Sequence, residues 1–210
     1  MPKTSIISTE NFFTLSSKKI KLAEDRKKVL LKISEKVTKE YTKNNLVNLN
    51  FICTHNSRRS QLGQVWTFYA ANYFNLNIHA FSGGTEVTAF YKNTVKTLQS
   101  VGFEFAVVDF SHKNPKYSIT FKESKSSILG FSKRFDDKTN KSPFIAITTC
   151  NNADENCPFI PAALERFHLP FVDPKFSDET PEEESAYLKT NEQIAAEIFF
   201  IFNEVKKKLN

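Results

Sequence analysis

Between Leu46 and Tyr73 the apolar pattern changes its period, and that change limits the fold more than any other feature of the chain. Leu46, Asn48 and the pair Phe51-Ile52 read as a strand that leads into Cys53, whereas Leu62, Val65, Trp66, Tyr69 and Ala70 recur on one side of a helix starting at Arg59. The polar run Thr54-His55-Asn56-Ser57-Arg58 lies between them. Strand, tight polar loop and helix open a βαβ unit. The rhythm continues with a candidate strand over 78–81, the break Gly83-Gly84, a helix around 88–100 and a short strand near 105–108. Residues 144–149 form a continuous apolar run, as in a buried parallel strand, which delivers Cys150 to the loop at its end. An α/β fold of three αβα layers is expected, with a mainly parallel central sheet of about four strands and helices on both faces.

The remaining segments are arranged around that unit. Residues 1 to 45 read as an N-terminal extension, in which Leu30, Ile33, Val37 and Tyr41 form one apolar stripe on a helix. Residues 46–210 read as one catalytic domain, interrupted at about 113–142 by a hairpin-like insertion. Near the end, Thr180 as N-cap, Pro181 and Glu183 signal the start of a helix with Ile194, Ile198, Ile201 and Val205 on its buried face. A length of 210 residues suits a single domain, and 21 Phe against one Met and one Trp imply a core filled by aromatic rings.

The net charge of +6 comes from lysines spread over surface-like stretches, which mildly favours anionic substrates. No interleaving of arginine with aromatic residues points to nucleic acid, so no nucleic-acid partner is expected. No run approaches the ~20 apolar residues that span a bilayer, and Met1-Pro2-Lys3-Thr4 leads into no signal core, so a cytoplasmic protein without a membrane partner is expected. Three cysteines cannot form a closed set of disulfides, and no second close pair of cysteines or histidines offers a zinc site, so no metal is expected.

The spacing of Cys53 and Arg59 suits an oxyanion. Five intervening residues let the chain wrap so that backbone N–H groups converge, the following helix adds the positive end of its dipole, and a guanidinium fork matches two oxygens of a tetrahedral anion. The same field favours a thiolate, which is the nucleophilic form of cysteine. Asn56, Ser57 and Ser60 are expected to hold the loop or donate to the sulfur. Arg58 is expected to face solvent, and His55 to be a loop residue rather than a base. The bland alternative is a buried strand-end cysteine with an arginine nearby by chance.

The run Cys53 to Ser60 resembles the signature loop of the low-molecular-weight protein tyrosine phosphatases and of the thioredoxin-coupled arsenate reductases built on the same fold. Ser82-Gly83-Gly84 resembles their turn after the second strand, residues 148–158 resemble the reductases' redox segment, and Asp173-Pro174 falls where the family carries its general acid. The resemblance implies Cys53 as nucleophile, Arg59 as anion clamp and Asp173 as acid. It also implies Cys150 and Cys157 as second and third thiols, with thioredoxin as electron donor and no bound cofactor. The segment between those two cysteines, rich in Asn and Asp, is expected to loop out.

Three departures accompany the likeness. Gln64 stands where the reductases carry a glutamate that helps to bind potassium, Arg58 replaces a small residue or cysteine, and no tyrosine follows Asp173-Pro174. Three functions stay open. They are arsenate reduction, hydrolysis of phosphotyrosine or a small phosphate monoester through Cys53, Arg59 and Asp173, and non-catalytic oxyanion binding. Cys150 as a core residue and Asp173 as a turn residue before Pro174 are the plainer readings of those two positions.

Overall fold

The structure, a computed structural model, describes residues 7–156 and 159–210. Its centre is a four-stranded parallel sheet in the order β2-β1-β6-β7, where β1 is Val47–Cys53, β2 Ile78–Gly84, β6 Phe144–Thr148 and β7 Ala163–His168. Helices flank it: α1 Thr9–Lys19, α2 Glu24–Asn44, α3 Arg59–Tyr73, α4 Lys92–Ser100, α5 Asn151–Asn156 and α6 Glu183–Leu209. The expected α/β architecture with four parallel strands is therefore present.

Alternation along the buried strands divides the interior in two. Leu49, Phe51, Ile145 and Ile147 face the large core with α2, α3 and α6, whereas Ile52, Cys53, Ala146 and Cys150 pack with Phe135 and Ala153 on the other face. On that second face Asn50 donates to the Phe135 carbonyl at 3.0 Å. Trp66 anchors the large core, stacked against Phe12 and Phe13 of α1 and donating its indole N–H to Asn191 Oδ1 at 2.7 Å. The extension shares this core: Phe13, Leu30, Ile33 and Val37 are fully buried in it, and α1, outside the expected stripe, is a helix.

Two expectations about strands need correction. The segment near 105–108 belongs to β3 (Phe103–Asp109), which leaves the central sheet and pairs antiparallel with β4 (Lys116–Phe121), itself paired with β5 (Ile128–Gly130). The expected hairpin is thus part of a separate three-stranded sheet. Its outer positions are wet, so the strand never needed the continuous apolar run of a buried parallel one. The fourth parallel strand is instead β7, whose Leu164, Glu165 and Arg166 are exposed.

The start of α6 also lies later than expected. Thr180 Oγ1 accepts from the Glu182 N–H at 3.3 Å and Glu183 Oε2 from the Glu179 N–H at 2.8 Å. Side-chain capping is present, but it closes a turn before the helix, which begins at Glu183.

Candidate active site

β1 and β6 lie side by side in parallel register, with Ile52 opposite Thr148, so their C-terminal ends bring Cys53 and Cys150 to one edge of the sheet. Both thiols are free and buried, in the same small apolar cluster. The strand end is crowded: a Cβ on Gly84 would lie 2.6 Å from the Thr54 carbonyl oxygen and 2.9 Å from the Asn56 nitrogen. Glycine is what lets the loop after β1 cross β2. That crossing is fixed by bonds from the Thr85 and Glu86 N–H groups to the carbonyls of Cys53 and Thr54, at 3.2 and 2.8 Å.

One hydrogen-bond chain orients the sulfur. The Lys133 N–H, which can only donate, reaches Asn56 Oδ1 at 2.9 Å and so settles which end of that amide is oxygen. Asn56 Nδ2 then donates to Ser60 Oγ at 2.8 Å, leaving the serine proton for Cys53 Sγ 3.1 Å away. Asn56 has φ 47°, a left-handed conformation that asparagine tolerates, and Gln61 Nε2 braces its carbonyl at 3.0 Å. Ser57 Oγ donates to the Ala89 carbonyl at 2.7 Å.

The backbone N–H groups of Thr54, His55, Asn56, Ser57 and Arg58 donate to no acceptor among the described residues, and α3 adds its unpaired first-turn donors from Arg59. Consecutive free donors beside a buried thiol can receive an anion. His55 is a loop residue, its ring 3.3 Å from Glu86 and its carbonyl accepting from Ser132 and Thr88.

Arg59 reaches across the sheet edge. Its Nη1 donates to the Phe171 carbonyl at 3.1 Å and, more weakly, to that of Thr149 at 3.5 Å, and its Nη2 pairs with Asp173. Asp173 also accepts from the Lys175 N–H at 3.1 Å and thereby caps the short 3₁₀ turn Pro174–Ser177. The turn role and the place beside Arg59 are both real.

Arg58 is the main correction at the site, because it does not face solvent. It is buried, with Nε donating to Tyr187 Oη and Nη2 to Asp178, each at 2.6 Å, and its guanidinium lies 4.0 Å from the centre of the Tyr91 ring. Burial alone weakens its charge, but Tyr187 and the carboxylates of Asp178 and Asp173 more than offset this and raise its pKa. Two adjacent arginines thus hold both ends of the 173–178 segment. Arg58→Leu should lower stability by about 2–3 kcal/mol through loss of charged hydrogen bonds. It should also expose that segment to limited proteolysis in the native state; an unchanged cleavage pattern would refute the strap.

Cys150 Sγ lies 3.5 Å from Thr54 Oγ1, which donates to Asn152 Oδ1 at 3.0 Å. The segment expected to loop out is the short helix α5, tied to β7 by Asp154, which accepts from Arg166 at 2.5 Å and from Thr148 Oγ1 at 2.7 Å. Sequence reading missed this cluster because β7 was not recognised. Cys157 lies outside the described residues. Gln64 bridges the Ser82 hydroxyl, at 2.5 Å, and the Leu129 carbonyl, at 3.2 Å. Among the described residues no group of three or more His, Cys, Asp or Glu is placed to hold a metal ion.

A parallel sheet whose inner strand ends in cysteine, followed by a tight loop and a helix that opens on arginine, defines the low-molecular-weight protein tyrosine phosphatase fold. Two solved structures share it. One is an arginine phosphatase with a phosphorylated active-site serine (TM-score 0.53, 14% identity, covering 77% of this chain and 97% of that one). The other is a low-molecular-weight phosphotyrosine phosphatase from Vibrio cholerae (0.51, 9%, 78% and 99%). In sequence the chain is 28% identical over 155 residues to an arsenate reductase of Brevibacillus brevis, which covers 73% of this chain and 92% of the relative. It is also 28% identical over 139 residues to that of Bacillus subtilis, with 66% and 82% covered. No protein-family model matches the chain. The chain is an enzyme with the low-molecular-weight phosphatase fold, and in sequence it is similar to the arsenate reductases.

Proposed function

We propose that the protein is a thioredoxin-coupled arsenate reductase with Cys53 as nucleophile. The observation that carries this reading is the run of unpaired backbone donors around a sulfur that already receives the Ser60 proton, with Cys150 at the same sheet edge. The similarity to arsenate reductases supports it.

The Cys53 thiolate attacks arsenic and an oxygen leaves as water, with Asp173 supplying a proton. The free N–H groups of residues 54–58 and the Arg59 fork hold the remaining oxygens. Arrival of the anion draws Arg59 from Asp173 and releases that carboxyl for proton transfer. Cys150 then attacks Cys53 Sγ; the S–As bond breaks, its electron pair stays on arsenic, and arsenite departs from a Cys53–Cys150 disulfide. Cys157 attacks Cys150, frees the Cys53 thiolate and leaves a Cys150–Cys157 disulfide for the thioredoxin dithiol to reduce. Two electrons pass from thiols to arsenic in each turnover. For α5 to carry Cys157 to thioredoxin, Asp154 has to release Arg166.

A phosphatase reading uses Cys53, Arg59 and Asp173 alone. It is favoured by Val172 and Phe176, both largely exposed on either side of Asp173, an apolar rim suited to the body of an aromatic phosphate ester.

The two are separated by measuring arsenate-dependent NADPH oxidation through thioredoxin and its reductase beside p-nitrophenyl phosphate hydrolysis. Wild type, Cys53→Ser and Cys157→Ser are compared. The expected result is arsenate turnover that Cys157→Ser abolishes while any hydrolysis survives and Cys53→Ser removes both. Hydrolysis alone, indifferent to Cys157, would make the protein a phosphatase.

A further inference from the structure

Lys133 is 3% exposed and forms no hydrogen bond or ion pair through its ammonium among the described residues. Its side-chain partner is the face of Phe131, 4.6 Å from Nζ to the ring centre. Asp137 acts on it only through space, because that carboxylate is occupied by the Thr139 N–H and hydroxyl at 2.9 and 2.7 Å. A largely buried ammonium without a protein acceptor is unfavourable unless water or a ligand reaches it.

The side chain lines a cavity of about 610 Å³ between the C-terminal half of α3, the β2 edge and β5. Lys141 and His79 also line it, and no aspartate or glutamate does. Burial and Lys141 lower the pKa of His79, so that ring is neutral at physiological pH. Phe68, Leu76 and Phe81 supply apolar wall. The volume falls within the range of small-molecule sites, and the apolar wall is interleaved with polar side chains such as Gln64, Asn72 and Asn77 that can fix a ligand's orientation. No arginine lines the cavity, so it offers no guanidinium fork for a dianionic phosphate, whereas a single ammonium suits a single carboxylate.

We propose that this cavity is a second ligand site, separate from Cys53, that takes a small organic monocarboxylate with an aromatic or apolar body, its carboxylate paired with Lys133. Burial has already lowered the Lys133 pKa to about 8, so a carboxylate at the ammonium would raise it again. The site stands apart from the chemistry at Cys53, and its test does not depend on any turnover.

The probe is 4-fluorobenzoate, followed by ¹⁹F NMR on the full chain. Wild type should saturate with a Kd on the order of 1 mM, and Lys133→Met, which keeps the backbone bonds to Asn56 and Gly84, should bind at least tenfold more weakly. Equal binding by the two proteins overturns the proposal. A second measurement needs no variant: trinitrobenzenesulfonate at pH 8 labels neutral amines, and mass spectrometry reports each lysine. Labelling of Lys133 should slow when 4-fluorobenzoate is added, while labelling of the exposed lysines stays unchanged. Labelling of Lys133 that is indifferent to the carboxylate overturns the proposal equally.

Discussion

Arg59→Lys should lower kcat/KM by about 10²–10³-fold, the loss seen when a single donor to a developing oxyanion is removed, whichever anion the enzyme turns over. Charge is retained, and so is a good helix former in the first turn of α3, so the fold should survive. What disappears is geometry: Arg59 spans Asp173 and the carbonyls of Phe171 and Thr149 with one rigid fork. Lysine offers a single charged point on a flexible stem and cannot grip two oxygens while keeping those contacts. Steady-state kinetics beside a thermal melt decides the matter. A variant within threefold of wild type, equally stable, would show that the guanidinium is only a brace for the segment around Asp173.

Arg26→Met should destabilise the protein by about 3–5 kcal/mol near neutral pH, the range for removing one partner of a buried ion pair. Glu197 is fully buried on α6, and both of its oxygens receive the Arg26 fork, at 2.9 and 2.8 Å, with Gln193 adding a bond at 3.1 Å. Burial pushes the Glu197 pKa up, and Arg26 and Gln193 only partly oppose it. Without Arg26 the folded pKa rises further above the unfolded one, so the folded state prefers a protonated carboxyl. The penalty is therefore smallest below the unfolded carboxylate pKa and grows as pH climbs through the folded value. Urea unfolding should show a smaller loss at pH 5 than at pH 8; a loss independent of pH would mean that packing against Phe171, over whose ring Arg26 lies at 4.8 Å, dominates.

How much of this could be read from the chain depended on how local the cause was. The change of period at Cys53 lies within about thirty residues, and the strand, loop and helix it implies are β1 and α3, the latter starting at Arg59 as expected. The stripes of α2 and α6 were legible for the same reason. β3 was assigned to the wrong sheet because nothing within a strand names its partner, and β7 was missed because its exposed Glu165 and Arg166 dilute the apolar signal. Arg58 looked solvent-facing because its acceptors lie 120 and 129 residues away, at Asp178 and Tyr187. Asn56 and Ser60 were expected to shape the loop or meet the sulfur. Only the N–H of Lys133, another distant residue, shows how they do both.

The shared core of α1, α2 and α6 has a meaning for the ribosome. Phe13, Leu30 and Ile33 rest in the same apolar cluster as Ile194, Ile198 and Phe202 of α6, so the earliest helices are closed by the last one. Translation at about 5–20 residues per second separates the two by roughly 10–30 seconds. During that interval α1 and α2 emerge with bare apolar stripes, the kind of surface that chaperones at the tunnel exit hold, and the domain completes itself only once α6 is out.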